Sequence, residues 1–137
     1  MSPAIFRSML VASFVLALIG GGVDLVISSL IPEPLIQAQA ANEADASLFT
    51  LVFIVLIGLV ATVCTLAAYY GLFVFKPWAP RIAVIGTLLS LLLWPAFGAN
   101  VYSGWSFALI ELSNLIWGAT IAAVYLSPLK EKFVAPR

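Results

Sequence analysis

The sequence contains no histidine and only one cysteine, Cys64, among its 137 residues. Without histidine, the chain has no imidazole to ligate haem or to complete a histidine-containing zinc or copper site. A single cysteine excludes an intramolecular disulfide, a CxxC redox pair and a thiolate cluster. Cys64 lies in a hydrophobic stretch, so we interpret it as a packing residue rather than a reactive thiol. We therefore expect no cofactor.

Charged residues are also scarce. Six basic and six acidic side chains make up 9% of the chain and give a net charge of zero. A basic surface for nucleic acid is therefore not expected. Hydrophobic residues make up 64% of the chain, above the roughly 45–50% that is typical of soluble domains. A water-soluble fold of this length could not bury so much apolar surface, which indicates that the chain is embedded in a lipid bilayer.

Four apolar stretches approach the length of about 20 residues that an α-helix needs to span a bilayer. They cover approximately residues 9–31, 48–75, 82–97 and 105–126. Proline-containing segments follow the first and second stretches, at 31–34 and 76–81, and proline disfavours helix continuation. The short connections between the last three stretches are typical of antiparallel neighbours. The sequence predicts one transmembrane domain over 1–137, an all-α, antiparallel up-down four-helix bundle.

One alternative concerns the first apolar stretch. The tripeptide Ala38-Gln39-Ala40 resembles a signal-peptidase site, and cleavage there would remove the first helix. The apolar core of a signal peptide has about 7–15 residues, whereas this stretch is longer and ends well before residue 38. We therefore favour a retained first helix.

The basic residues indicate the orientation of the helices. All six fall on one side of a four-span topology: Arg7, Lys76, Arg81, Lys130, Lys132 and Arg137. Basic segments next to membrane helices stay in the cytoplasm. The sequence therefore predicts a multi-pass protein of the inner (plasma) membrane with both termini cytoplasmic.

Two acids, Asp24 and Glu111, lie inside apolar stretches. Antiparallel helices would place both at a similar depth in the outer third of the bilayer, where they could pair with each other or with Asn114. Ionisable groups inside a membrane are costly and often functional. These three residues therefore form a candidate polar intramembrane site for a proton or another cation. The alternative is that each acid reaches external water or hydrogen-bonds across a helix interface.

Small residues recur at helical spacing in all four stretches and predict close helix packing. The predicted packing positions are Gly20, Gly21, Gly58, Ala61, Gly86, Ser90 and Gly118.

The turn at 75–81, the Trp117-Gly118 pair and the segment at 125–133 resemble small uncharacterised bacterial inner-membrane proteins. This resemblance covers about the second half of the chain and implies a membrane location without an activity.

Two hypotheses for function follow. The first is a non-enzymatic membrane protein that acts by helix association in the lipid bilayer, as a homo-oligomer or as an accessory subunit of a membrane-protein partner. The alternative is a small transporter or channel protomer that uses Asp24 and Glu111 for proton or cation handling. An enzyme is disfavoured because such short loops offer no catalytic platform, and no nucleic-acid partner is expected.

Overall fold

The computed structural model describes residues 1–44, 47–97 and 100–134, so Arg137 lies outside the described residues. Five α-helices occur in this part of the chain: α1 (Pro3–Val26), α2 (Glu33–Ala44), α3 (Leu48–Phe73), α4 (Ala79–Phe97) and α5 (Gly104–Leu126). Short 3₁₀ segments lie at Ser28–Leu30 and Pro128–Phe133, and no strand occurs among the described residues. The long helices α1, α3, α4 and α5 are each long and apolar enough to cross a membrane. The prediction of an all-α chain with four such helices is confirmed.

The first helix differs from its predicted range at both ends. It begins at Pro3 because the Ser2 side chain accepts a hydrogen bond from the Ile5 N–H at 3.3 Å, and proline suits the first turn of a helix. It ends at Val26, and the chain tightens into the 3₁₀ segment before Pro32. Arg7 therefore lies within α1 rather than before it.

The segment between the first two predicted membrane helices contains α2, a twelve-residue helix. The Gln39 side-chain oxygen in α2 accepts a hydrogen bond from the Val101 N–H at 3.4 Å. This contact joins α2 to the connection between α4 and α5.

The long helices pack chiefly as two pairs, α1 with α5 and α3 with α4. In the first pair, the Ser113 hydroxyl donates to the Ser13 carbonyl at 2.7 Å, and the Ser106 hydroxyl donates to the Gly20 carbonyl at 2.6 Å. The residue numbers of the contacting positions therefore increase along α1 as they decrease along α5.

The second pair follows the same rule. Gly71 lies against Ala79, and Gly86 lies against Cys64 and Thr65. The contact positions rise along α3 while they fall along α4.

Both pairs and the C-terminal 3₁₀ segment meet in a buried apolar cluster, which we call the packed end. Its buried residues are Phe6, Leu10, Ala68, Leu72, Ala79, Ala83, Val124, Leu129 and Phe133. The Phe6 ring lies 5.7 Å from the Phe75 ring and 6.1 Å from the Phe133 ring, measured between centroids. The two chain ends and the α3–α4 turn are thereby packed together.

The α3–α4 turn places Phe75 in the left-handed backbone region, with φ of 56°. The Lys76 N–H bonds to the Gly71 carbonyl at 2.7 Å, and the Phe75 N–H bonds to the Leu72 carbonyl at 3.2 Å. This is a Schellman motif, in which glycine usually occupies the left-handed position. The ring contacts of Phe75 with Phe6 and Phe133 offset the cost of using a larger residue there.

Candidate functional site

Four side chains connect the two helix pairs just beyond the packed end, and we call them the clasp: Ser13, Tyr69, Thr87 and Trp117. The hydroxyls of Ser13 and Tyr69 lie 3.1 Å apart and share a hydrogen bond. The Trp117 indole N–H donates to the Thr87 hydroxyl at 2.9 Å. The Tyr69 and Trp117 rings lie 4.5 Å apart between centroids. The clasp therefore contains one side chain from each long helix.

A cavity of about 510 Å³ lies between the pairs, and we call it the seam cavity. Its lining includes the aromatic side chains Tyr69, Trp94 and Trp117 and the polar side chains Thr87, Ser90 and Glu111. On α5 the lining extends from Glu111 to Ile121, which is a rise of about 15 Å along the helix axis. The cavity therefore follows close to half the length of α5.

Helical periodicity explains why Glu111 lines this cavity. Glu111, Asn114, Trp117 and Ile121 all line it, and residues at such three- and four-residue spacing share one helix face. Ser106 and Ser113, at seven-residue spacing, bond to α1, and Ser113 also lines the cavity. Glu111 and Asn114 therefore share the face of α5 that lines the cavity.

Among the described residues that line the seam cavity, Glu111 and Tyr69 have ionisable side chains and none is basic. The cavity therefore brings a carboxyl group to three aromatic rings without a protein counter-charge. Among residues 1–44, 47–97 and 100–134, no three Cys, Asp or Glu side chains form a group that could hold a metal ion.

Asp24 occupies a different environment from Glu111. One of its carboxylate oxygens, Oδ2, accepts a hydrogen bond from the Ser103 N–H at 3.0 Å. Ser103 is the N-cap of α5, so Asp24 lies where a negative charge complements the positive end of the helix dipole. Its other oxygen, Oδ1, is buried without a hydrogen-bond partner among the described residues.

The expected pairing of Asp24 with Glu111 is therefore corrected. Asp24 is level with Ser103, and Glu111 lies about 12 Å farther along the α5 axis. Ala17, seven residues before Asp24, is the α1 residue that lines the seam cavity with Glu111. The first helix was predicted to end near residue 31, whereas α1 ends at Val26, so Asp24 lies in its last turn and not farther inside the helix.

Several of the predicted packing positions lie at close helix contacts. A Cβ atom on Gly20 would lie 2.9 Å from Ile110 Cγ1, and one on Gly86 would lie 3.2 Å from the Thr65 hydroxyl. Ala61 is buried, and the Ser90 hydroxyl donates to the Gly86 carbonyl within α4 at 2.9 Å.

Other predicted packing positions are open. A Cβ atom on Gly58 would reach only Leu93 Cδ1, at 3.9 Å, and one on Gly21 or Gly118 would meet nothing within 4 Å. Gly118 instead lines the seam cavity.

Sequence reasoning missed three features of this region. Gly71 is in tight contact, because an added Cβ would lie 2.7 Å from Ala79 Cβ. Tyr69 and Thr87 were also missed, since nothing in the sequence indicates which aromatic and hydroxyl side chains will meet. The sequence could have indicated that Trp117 lies beside Glu111 and Asn114, because the three residues follow one another at three-residue spacing.

Comparison with protein-family models, with curated proteins and with solved structures finds no match to this chain. The resemblance to bacterial inner-membrane proteins therefore stays a prediction.

Proposed function

We propose that this chain is a non-enzymatic, multi-pass membrane protein that carries a proton or another cation at Glu111, within an antiparallel four-helix bundle. The position of Glu111 in the seam cavity is the observation that carries this proposal. Asp24, which the sequence hypothesis gave the same role, instead stabilises the start of α5.

The contacts within both helix pairs support the antiparallel arrangement, since contact positions rise along one helix and fall along the other. Three basic segments also meet at the packed end. The Arg7 guanidinium donates to the Phe73 carbonyl at 3.1 Å. The Lys132 ammonium lies 5.6 Å from the ring centroid of Phe75, and Phe75 directly precedes Lys76 in the sequence. Grouped basic residues favour a cytoplasmic location for this end.

Membrane insertion gives Glu111 its significance. An ionised carboxylate inside the bilayer costs at least about 2.5–3.5 kcal/mol, and the described lining of the cavity contains no basic side chain to offset that cost. A bound proton or another cation would offset it. Asn114 and the hydroxyls of Ser90 and Thr87 add polar groups along the same cavity, which would help to solvate the cation.

Proteoliposomes provide the test. A membrane potential, negative inside, should drive cation entry, followed with pH-sensitive and sodium-sensitive dyes in the vesicle interior. Wild-type protein should give a flux, and Glu111→Gln should reduce it to the level of protein-free vesicles. Asp24→Asn is the matched control, because it changes an intramembrane acid that does not line the cavity, and it should retain most of the flux. Equal flux in wild type and Glu111→Gln, or no flux in wild type, would contradict the proposal.

A second candidate function is helix association, as a homo-oligomer or with another membrane protein. Gly21 and Gly22 have no atom within 4 Å of an added Cβ, so this part of α1 is open to a neighbouring helix. Gly21→Leu should then change the oligomeric state in detergent or nanodiscs without lowering the stability of the monomer. An unchanged oligomeric state would count against association through this face.

A further inference from the structure

We propose that the seam cavity takes a hydrophobic organic cation, an ammonium or phosphonium group carrying apolar substituents, rather than a bare metal ion. This inference rests on the proposed function, because it names the kind of cation that Glu111 would hold.

The polar groups of the cavity suit a dehydrated metal ion poorly. Hard metal ions such as Ca²⁺ are held by about six to eight oxygen ligands, which include charged carboxylates, whereas the described part of the cavity lining supplies one carboxylate and otherwise uncharged amide and hydroxyl groups. The other oxygen atoms of the described lining are uncharged, and several of the hydroxyls are held against their helices because they donate to helix carbonyls. Thr87 donates to the Ala83 carbonyl, Ser90 to the Gly86 carbonyl and Ser113 to the Ser13 carbonyl, at 2.9, 2.9 and 2.7 Å.

The aromatic side chains suit an organic cation well. Trp94, Trp117 and Tyr69 line the same cavity as Glu111, and cations are attracted to aromatic faces, most strongly to tryptophan. Organic cations shed little hydration on entry and can contact apolar groups directly. Leu91 and Ile121, which also line the cavity, offer such contacts.

The size of the cavity is consistent with this ligand class. Its volume of about 510 Å³ falls within the range of roughly 300–1,000 Å³ that small-molecule sites occupy. A single carboxyl group would neutralise a singly charged ligand, and the surrounding rings would hold its apolar substituents. The cavity therefore combines one negative group with an apolar, aromatic lining.

Radiolabelled tetraphenylphosphonium is a suitable probe for equilibrium binding to the detergent-solubilised chain. Glu111→Gln should weaken binding by on the order of tenfold or more, since close charge pairs couple strongly. Trp94→Leu should weaken it roughly two- to thirtyfold, the range of a cation–π contact. Trp94 is 45% exposed, so the leucine variant should still fold.

Matched controls separate these effects from general damage. Trp105, in the first turn of α5, is 70% exposed and does not line the cavity, so Trp105→Leu should bind like wild type. Asp24→Asn should do the same. A large excess of sodium or potassium ions should displace little of the probe, and triphenylphosphine oxide, which carries no net charge, should compete weakly.

The inference fails if tetraphenylphosphonium does not bind, if Glu111→Gln binds it like wild type, or if Trp94→Leu and Trp105→Leu bind it equally. A failure of this inference alone can be distinguished from a failure of the proposed function. Proton or sodium flux that depends on Glu111, without binding of the organic probe, would preserve the proposed function and overturn only this ligand class.

Discussion

The packed end and the half of the bundle that contains the seam cavity are built from different side chains. At the packed end, large side chains such as Phe6, Leu72 and Phe133 fill the space between the helix pairs. In the other half, the close contacts lie within each pair and involve small residues such as Gly20, Ser106 and Gly86. Small residues draw the two helices of a pair together, but they cannot reach across to the other pair. The seam cavity lies between the pairs in this second half.

The two acids within the long helices lie on different sides of this division. Asp24 is used within a helix pair, where it bonds to the start of α5. Glu111 is on the face of α5 that looks into the space between the pairs. The carboxyl group of Asp24 therefore stabilises a contact within one helix pair, whereas that of Glu111 lines the cavity between the pairs.

Truncation at the packed end should give the largest loss of stability. Phe6 is fully buried and contacts two other rings, so Phe6→Ala should lower the free energy of unfolding by roughly 3 kcal/mol. The neighbouring Ile5 is 56% exposed, and Ile5→Ala should change it little. Denaturation in detergent micelles measures both. Equal losses would mean that the packed end does not hold the pairs together.

Replacing either of the adjacent residues Gly20 and Gly21 by alanine should have opposite effects on the free energy of unfolding. A Cβ on Gly20 would lie 2.9 Å from Ile110 Cγ1 and 3.0 Å from its backbone nitrogen, so Gly20→Ala should destabilise by about 1–3 kcal/mol. A Cβ on Gly21 meets nothing, and Gly21→Ala should stabilise α1 by up to about 1 kcal/mol. The same denaturation curves report both changes. Stabilisation by Gly20→Ala would show that α1 and α5 are farther apart than described.

The hydrogen bond between Thr87 and Trp117 in the clasp should contribute less to the free energy of unfolding. Thr87→Val and Trp117→Phe each remove the bond between the Thr87 hydroxyl and the Trp117 indole, and each should cost about 1 kcal/mol. In a double-mutant cycle, the two losses should fall short of additivity by a similar amount. Additive losses would indicate that the two side chains do not interact.

Asp24 should show the smallest effect. Asp24→Ala removes the acceptor for the Ser103 N–H and should cost about 0.5–1 kcal/mol, which is typical of interactions at helix starts. Asp24→Asn keeps an acceptor oxygen and should cost less. A larger loss for the asparagine variant would assign Asp24 a role beyond this contact.

Much of the fold could be predicted from the sequence, because the apolar stretches mark the number and approximate positions of the membrane-length helices, although α1 begins and ends five to six residues earlier than predicted. The contact partners were harder to predict. Helical spacing correctly placed Asn114 beside Glu111 on one face, but the register between α1 and α5 depends on side-chain packing such as Ser106 against Gly20. For the same reason, Gly21 could not be distinguished from Gly20. The cavity could not be predicted, since it depends on the distance between two helix pairs.

Thiol labelling beside Glu111 tests the central claim most directly, that this acid draws cations into the seam cavity. With Cys64→Ala as background, Asn114→Cys lies in the cavity, whereas Leu112→Cys lies on another face of α5. In proteoliposomes, a cationic thiol reagent should modify Asn114→Cys faster than Leu112→Cys. Adding Glu111→Gln should slow the cationic reagent several-fold at Asn114→Cys and leave a neutral reagent of similar size unaffected. Equal rates for the cationic reagent with and without the Glu111 carboxyl group would contradict the account.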